Sequence, residues 1–284
     1  MSVEYSVLGP LFVGFHGRAA LPSAPKPKQL LALFILNANS VVTTATCVEE
    51  LWGDQPPSTA GSTLQTYVLQ IRKALSDLPG IGTLEGARSI LITRDYGYML
   101  RVDPQSVDAF RFDGLVRTGE KAAAGGDDFK AVRLFNASAD IWRGDAVVDI
   151  QTGIALQTYV RGLEERRLGA IEQRIEAELR LGRHHQLIGE LSSLSARYSL
   201  NENIFAQLML ALYRSGRQVD ALDRYRDLRD RVGEELGLEP SPKIRRLHDA
   251  ILRGAEYLYQ TPTVAGGISL DLAYHPHDRP HVRR

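Results

Sequence analysis

The strongest constraint on this 284-residue chain is a change of hydrophobic period near Val107. Before it, short alternating runs flank a helical stretch. After it almost nothing alternates, and Gly and Pro fall only between runs with the spacing of amphipathic helices. A period-two face and a helical stripe bury their apolar sides in different layers, so the chain reads as two domains of different class. We expect an α+β domain over residues 1–104, an all-α domain over 105–258, and a disordered tail over 259–284, where "TPTVAGGISLDLAYHPHDRPHVRR" shows no period.

The first domain opens with "VEYSVLG" and "LFVGFHG", β-type runs broken by Gly9-Pro10 and Gly17. "PKPKQLLALFILNANS" then puts Pro25 and Pro27 at a helix start and runs through Leu30, Leu31, Phe34 and Ile35. Thr43 or Thr44 caps a short second helix, "ATCVEELWG", with Val48, Leu51 and Trp52 pointing one way and Gly53 at its end. After the turn "DQPPSTAGS", a third helix aligns Leu64, Tyr67, Val68, Ile71 and Leu75 in one sector of the wheel. "RSILITRDYGYMLRV" adds two β runs, Ile90–Thr93 and Tyr98–Val102, joined by the tight-turn signal "RDYG". Strands, three helices and a hairpin, in that order, predict a winged helix-turn-helix. In that fold the last helix enters the major groove and the hairpin touches flanking backbone.

Across the third helix from its buried stripe lie Ser62, Gln65, Thr66, Leu69, Arg72, Lys73 and Ser76. Gln and Arg make bidentate contacts to adenine and guanine edges, Ser and Thr serve either base, and Leu69 suits a thymine methyl. Arg72 and Lys73, near the helix end, are also placed to hold phosphates, which sets register without reading sequence. From wheel geometry alone an ordinary solvated face accounts for these residues as well, and one exposed Leu decides nothing by itself. Lys26 and Lys28, at the start of the first helix, and Arg94 with Tyr96 in the hairpin are candidate backbone contacts.

Charge narrows the possibilities. The chain carries 34 basic and 34 acidic residues, and residues 1–104 carry 8 of each, so no global field draws it to nucleic acid. Any DNA surface is local, and a neutral monomer is expected to bind repeated sites as a homodimer or cooperative oligomer.

In the second domain, Gly182-Arg183 and Gly216-Arg217 are offset by 34 residues, the tetratricopeptide period. Counting from Gly216 as the turn glycine puts Ala221 and Tyr225 at the small and aromatic positions of a second helix, and counting from Gly126 puts Ala131 and Phe135 there. The middle unit, with Leu187 and Leu191, is degenerate. Stacked hairpins of this kind leave a concave surface for a partner; generic helical hairpins are the alternative.

Chemistry is not prominent. Cys47 stands alone, with no zinc-type spacing around it, and no phosphate-binding Gly loop, dinucleotide turn, H-E-x-x-H helix or G-x-S-x-G elbow occurs. The adjacent carboxylates Glu49-Glu50 and Glu164-Glu165 diverge on helices, and His184-His185 sits at a helix start between hairpins, where we expect it at the surface. We therefore expect no enzyme, no cofactor and no metal. "LLALFILNA" is too short to cross a bilayer and no leader opens the chain, which implies a cytoplasmic protein.

The stretch "TTATCVEELWGDQPPSTAGSTLQTYVLQIRKAL" followed by "ITRDYGYMLRV" resembles the OmpR-type winged-helix domain of the Streptomyces antibiotic regulatory proteins. "LYRSGRQVDALDRYRDLRDRVGEELGLEPSPKIRRLHDAIL" resembles the end of their bacterial transcriptional activator domain, with "EELGLEPSP" its most specific piece. The resemblance covers about residues 1–258 and implies an activator of a secondary-metabolite gene cluster. Such a protein binds direct repeats in promoter DNA and recruits RNA polymerase. It places the recognition helix on Ser62–Ser76 and the wing on Thr93–Tyr98, with Leu69 and Gln70 standing where members commonly carry Ser and Arg. Larger relatives carry an ATPase module, and since none follows here nucleotide control is not expected; nor is phosphorylation of a receiver domain by a sensor kinase implied. The alternative is a regulator whose helical repeats bind a ligand or protein and control DNA binding.

Overall fold

The computed structural model describes residues 3–259; the expectation of a disordered tail over 259–284 falls outside them except at Tyr259, which ends a 3-10 turn. The chain divides into two compact units. One gathers the residues up to Val116 with Ala137–Leu168, the other Arg117–Asn136 with the residues from Gly169 onward.

In the first unit, β1 (Glu4–Ser6), β2 (Phe12–Phe15) and β3 (Arg18–Ala19) form an antiparallel sheet in that order, with Tyr5 opposite Val13. Helix α1 (Pro25–Leu36) begins on its prolines, and Leu30 through Ile35 are all fully buried. A helix apolar all round is a core helix, so the others pack about it. After β4 (Val42–Thr43), Thr43 caps α2 (Thr44–Trp52), its hydroxyl accepting from the Thr46 amide at 3.1 Å. The buried positions of α2 are Cys47, Glu50 and Leu51, whereas Val48 and Trp52 are half-buried, which corrects the expected inner face.

Helix α3 (Ala60–Ser76) buries Leu64, Val68, Ile71 and Leu75 as expected, and Tyr67 stacks on Trp52 with centroids 6.2 Å apart. A short helix that the hydrophobic pattern does not announce, α4 (Leu84–Ile90), then intervenes. Thr83 caps it by accepting from the Gly86 amide at 3.0 Å, and only Ala87 is buried, so it has little apolar periodicity to reveal it. Strands β5 (Leu91–Arg94) and β6 (Gly97–Leu100) make the hairpin, and the sheet order β4-β6-β5 ties it to the entry of α2. That pairing demands glycine at position 97, because a Cβ there would lie 2.0 Å from the Val42 carbonyl oxygen.

Two carboxylates, Asp149 and Glu50, tie Ala137–Leu168 into this unit, and a third, Asp108, makes its bonds within the residues up to Val116. Asp108, 1% exposed, accepts from the Val7 and Leu8 amides at 2.9–3.0 Å. Asp149 accepts from the Leu11 amide at 2.7 Å. Glu50, 2% exposed, accepts from Gln29 Nε2 at 2.8 Å and from the Gly153 and Leu156 amides at 2.6 and 3.0 Å. Asp108 and Glu50 satisfy amides that burial would otherwise strand, which is what a carboxylate needs to stay buried, whereas Asp149 makes its bond from an exposed position.

Apart from the 3-10 turns Pro104–Ser106 and Glu256–Tyr259, the remaining elements among the described residues are α-helices. They are α5 (Asp108–Ala124), α6 (Asp128–Ala139), α7 (Ile154–Arg180), α8 (His184–Arg197), α9 (Glu202–Arg214), α10 (Gln218–Leu236) and α11 (Pro242–Leu252). In the second unit the three predicted turn glycines share one geometry. Gly126, Gly182 and Gly216 have φ of 79, 79 and 76°, and the next amide in each case bonds the carbonyl five residues back at 2.9–3.0 Å. This is the left-handed helix terminus that glycine adopts without a Cβ penalty. The predicted packing positions are buried in all three: Ala131 and Phe135, Leu187 and Leu191, Ala221 and Tyr225. The degenerate middle unit therefore keeps the packing of its neighbours.

Candidate nucleic-acid interface

The interface builds from the face of α3 left over once its apolar stripe is buried. Ser62, Gln65, Thr66, Leu69 and Lys73 are exposed, Leu69 at 37%. The Ser62 hydroxyl donates to the Thr59 carbonyl at 3.0 Å and that of Thr66 to the Ser62 carbonyl at 3.1 Å. With their protons used on the helix, both hydroxyls present acceptor lone pairs outward, which suits base amino groups.

Arg72 differs. It is half-buried, its Nε and Nη2 donating to the Leu91 carbonyl at 3.1 and 2.7 Å and Nη2 also to Thr93 Oγ1 at 2.8 Å. Burial, and after it the charge of Arg88, lowers its pKa from the usual guanidinium value. The guanidinium thus braces α3 against β5, a role wheel geometry does not show. Lys73, one residue on, is exposed.

In the hairpin, Arg94 pairs with Gly97 across a two-residue turn, Asp95-Tyr96. The Thr44 amide donates to the Tyr96 carbonyl at 2.8 Å, which anchors the turn's backbone while the Tyr96 side chain stays 82% exposed. An anchored turn with a free aromatic at its tip is a rigid probe. Arg94 is exposed as well. At the other end of the set, Lys26 and Lys28 are half-buried on α1, and Lys26 Nζ lies 4.7 Å from the centroid of Trp52. Lys26, Trp52 and Tyr67 thereby stack in series across α1, α2 and α3.

Among the described residues no group of three or more His, Cys, Asp or Glu is disposed to hold a metal ion, and no helix is long and apolar enough to cross a membrane. Cys47 is buried, and burial pushes its thiol up to about 12, so it carries little thiolate. His184 is half-buried rather than at the surface, and His185 is exposed.

Comparison with known proteins agrees with this architecture. Residues 18–100 match the family described as transcriptional regulatory protein, C terminal, and residues 107–252 match the bacterial transcriptional activator domain. The chain is 41% identical over 272 residues to regulatory protein DnrI of Streptomyces peucetius, covering 95% of this chain and 100% of that one. It is 36% identical to transcriptional regulator RedD of Streptomyces coelicolor, covering 94% and 77%. Among solved structures, Mycobacterium tuberculosis EmbR in complex with a low affinity phosphopeptide superposes with a TM-score of 0.83 at 31% identity, over 89% of this chain and 65% of EmbR. A winged helix followed by a helical activator domain, shared along nearly its whole length with DnrI, makes this chain a member of the Streptomyces antibiotic regulatory protein family of transcriptional regulators.

Proposed function

We propose that the chain activates a secondary-metabolite gene cluster by binding direct repeats in promoter DNA as a homodimer or cooperative oligomer in the cytoplasm and recruiting RNA polymerase. It acts by binding and not by catalysis. The observation that carries this reading is the outward face of α3, polar except for Leu69 and flanked by an anchored hairpin with a projecting Tyr96.

In this reading Ser62, Gln65, Thr66 and Leu69 meet base edges, and Lys73, Arg94 and Tyr96 meet the backbone on either side. Lys26 and Lys28 contribute at the start of α1. Arg72 acts chiefly by holding α3 and the wing at a fixed spacing, which is what lets both engage one duplex. The near-neutral charge of the first domain supports assembly of several copies, since each copy neutralises few phosphates.

Replacing Arg72 and Lys73 together with Ala is expected to abolish measurable promoter binding in a mobility-shift assay; unchanged affinity rejects the interface. Footprinting is expected to show repeated protected sites, and one isolated half-site at saturation rejects the cooperative part.

A further inference from the structure

Charge is handled differently in the two halves of the chain. Beyond Val107, arginines meet carboxylates: Arg180 with Asp128 at 2.8 Å, Arg217 with Asp220 at 2.6 Å and Arg229 with Glu239 at 3.1 Å. Among the described residues none from 3 to 104 makes an ion pair, although that stretch holds basic and acidic side chains in equal number.

The unpaired cations are not scattered. Three guanidinium groups gather where α4 runs into β5, on Arg88–Leu91. Arg88 is itself one of these residues, Arg101 Nη2 donates to the Ser89 carbonyl at 3.1 Å, and Arg72 Nη2 donates to the Leu91 carbonyl at 2.7 Å. The Arg101 amide also donates to the Ile90 carbonyl at 2.8 Å, which fixes the root of that side chain. Arg88 and Arg101 are exposed, and Arg88 makes no hydrogen bond or ion pair of its own among the described residues. Arg72, its pKa lowered first by burial, also feels the charge of Arg88.

Carboxylates near in sequence do not neutralise this group. Glu85 lies one turn before Arg88 on α4 and pairs with neither arginine, while Asp103, two residues past Arg101, accepts from the Gln105 amide at 2.9 Å. Like charges gathered without a counter-charge repel one another, and an anion that accepts from several of them at once removes that cost. Guanidinium is the side-chain group whose fork of N–H donors matches phosphate oxygens. The position suits a duplex, because α4 packs on α3 and Lys73, exposed, follows Arg72 directly on the recognition helix.

We propose that Arg88 and Arg101 together seat one backbone phosphate of the duplex that α3 reads, which makes α4 a third DNA-contacting element beside α3 and the hairpin. The inference rests on the DNA-binding reading and extends it to residues outside the recognition face and the wing. Arg72, committed to Leu91 and Thr93, keeps the seat beside α3. A phosphate contact adds affinity and fixes register without reading sequence.

The test titrates the full chain against a promoter duplex and an unrelated duplex at several salt concentrations, read by fluorescence anisotropy. Arg88→Gln with Arg101→Gln is expected to weaken both complexes about tenfold and to make log K against log salt shallower by about 0.9, the contribution of one phosphate. The preference for the promoter duplex is expected to stay the same. Because Arg101 also holds α4, thermal melts accompany the titrations, and Arg88→Lys with Arg101→Lys, which keeps both charges, is expected to keep the slope. Lys73→Ala separates this inference from the reading beneath it. A shallower slope in Lys73→Ala with no change in the double Gln variant overturns the phosphate seat and leaves the recognition face standing; no duplex binding by the unaltered chain overturns both. Inorganic phosphate, titrated while the arginine Nε–H signals are followed by NMR, distinguishes the source of the anion. Saturable binding that the double Gln variant loses, with its DNA slope unchanged, assigns the seat to a free anion and overturns the duplex as its occupant.

Discussion

Arg72 separates two roles that a sequence cannot tell apart. If it braces the wing, Arg72→Ala removes the hydrogen bonds from Nε and Nη2 to the Leu91 carbonyl and from Nη2 to Thr93 Oγ1. A hydrogen bond to a charged group contributes about 1.5–3 kcal/mol net, and the two bonds to Leu91 share one acceptor. Since the side chain is only half-buried, the lower end applies, about 1.5 kcal/mol. For a unit of this size that lowers the melting temperature by roughly 3–6 °C. DNA affinity falls because α3 and the hairpin lose their fixed spacing, but the number of neutralised phosphates does not change. The dependence of log K on log salt therefore keeps its slope. Lys73→Ala is the opposite case: melting is unchanged, and the slope becomes shallower by about 0.9 for each phosphate no longer neutralised. Thermal melts and titrations of promoter DNA at several salt concentrations measure both quantities on both variants. Arg72→Ala with an unchanged melting temperature and a shallower slope would refute the brace and make Arg72 a phosphate clamp.

Other outcomes follow from the same structure. Asp108→Asn leaves a donor facing the Val7 or Leu8 amide, and urea unfolding is expected to show a loss of about 1–3 kcal/mol. Gly97→Ala forces a Cβ against the Val42 carbonyl and is expected to cost about 1–3 kcal/mol and to weaken DNA binding, read by urea unfolding and mobility shift. Burial, and after it the charge of Arg214, lowers the His184 pKa to about 4, so the folded state binds its proton less readily than the unfolded state. The stability it confers is complete above its unfolded value of about 6.5 and is lost as pH falls from there towards 4; His184→Gln should flatten that part of a pH–stability curve.

Much of the fold was legible because it rests on local rules. Pro25 and Pro27 mark the start of α1 and Thr43 caps α2. The stripe Leu64, Val68, Ile71 and Leu75 sets the inner face of α3, and Gly126, Gly182 and Gly216 end their helices in the left-handed conformation that few other residues tolerate. Each of these signals lies within a few residues of the feature it specifies. The outward set Ser62, Gln65, Thr66, Leu69 and Lys73 follows from the same periodicity.

Tertiary structure decided what depends on partners far along the chain. Glu50 reads as one of two adjacent, diverging carboxylates on a helix, yet Gly153 and Leu156, more than a hundred residues away, make it a buried acceptor. Gln207 stands out as the one polar residue in "FAQLMLALY", but its orientation is set by Glu172 on another helix. Arg72 looks free on a helical wheel and is held by a strand nineteen residues on. Periodicity tells which way a side chain points, while a polar group's role depends on which donors and acceptors the fold brings to meet it.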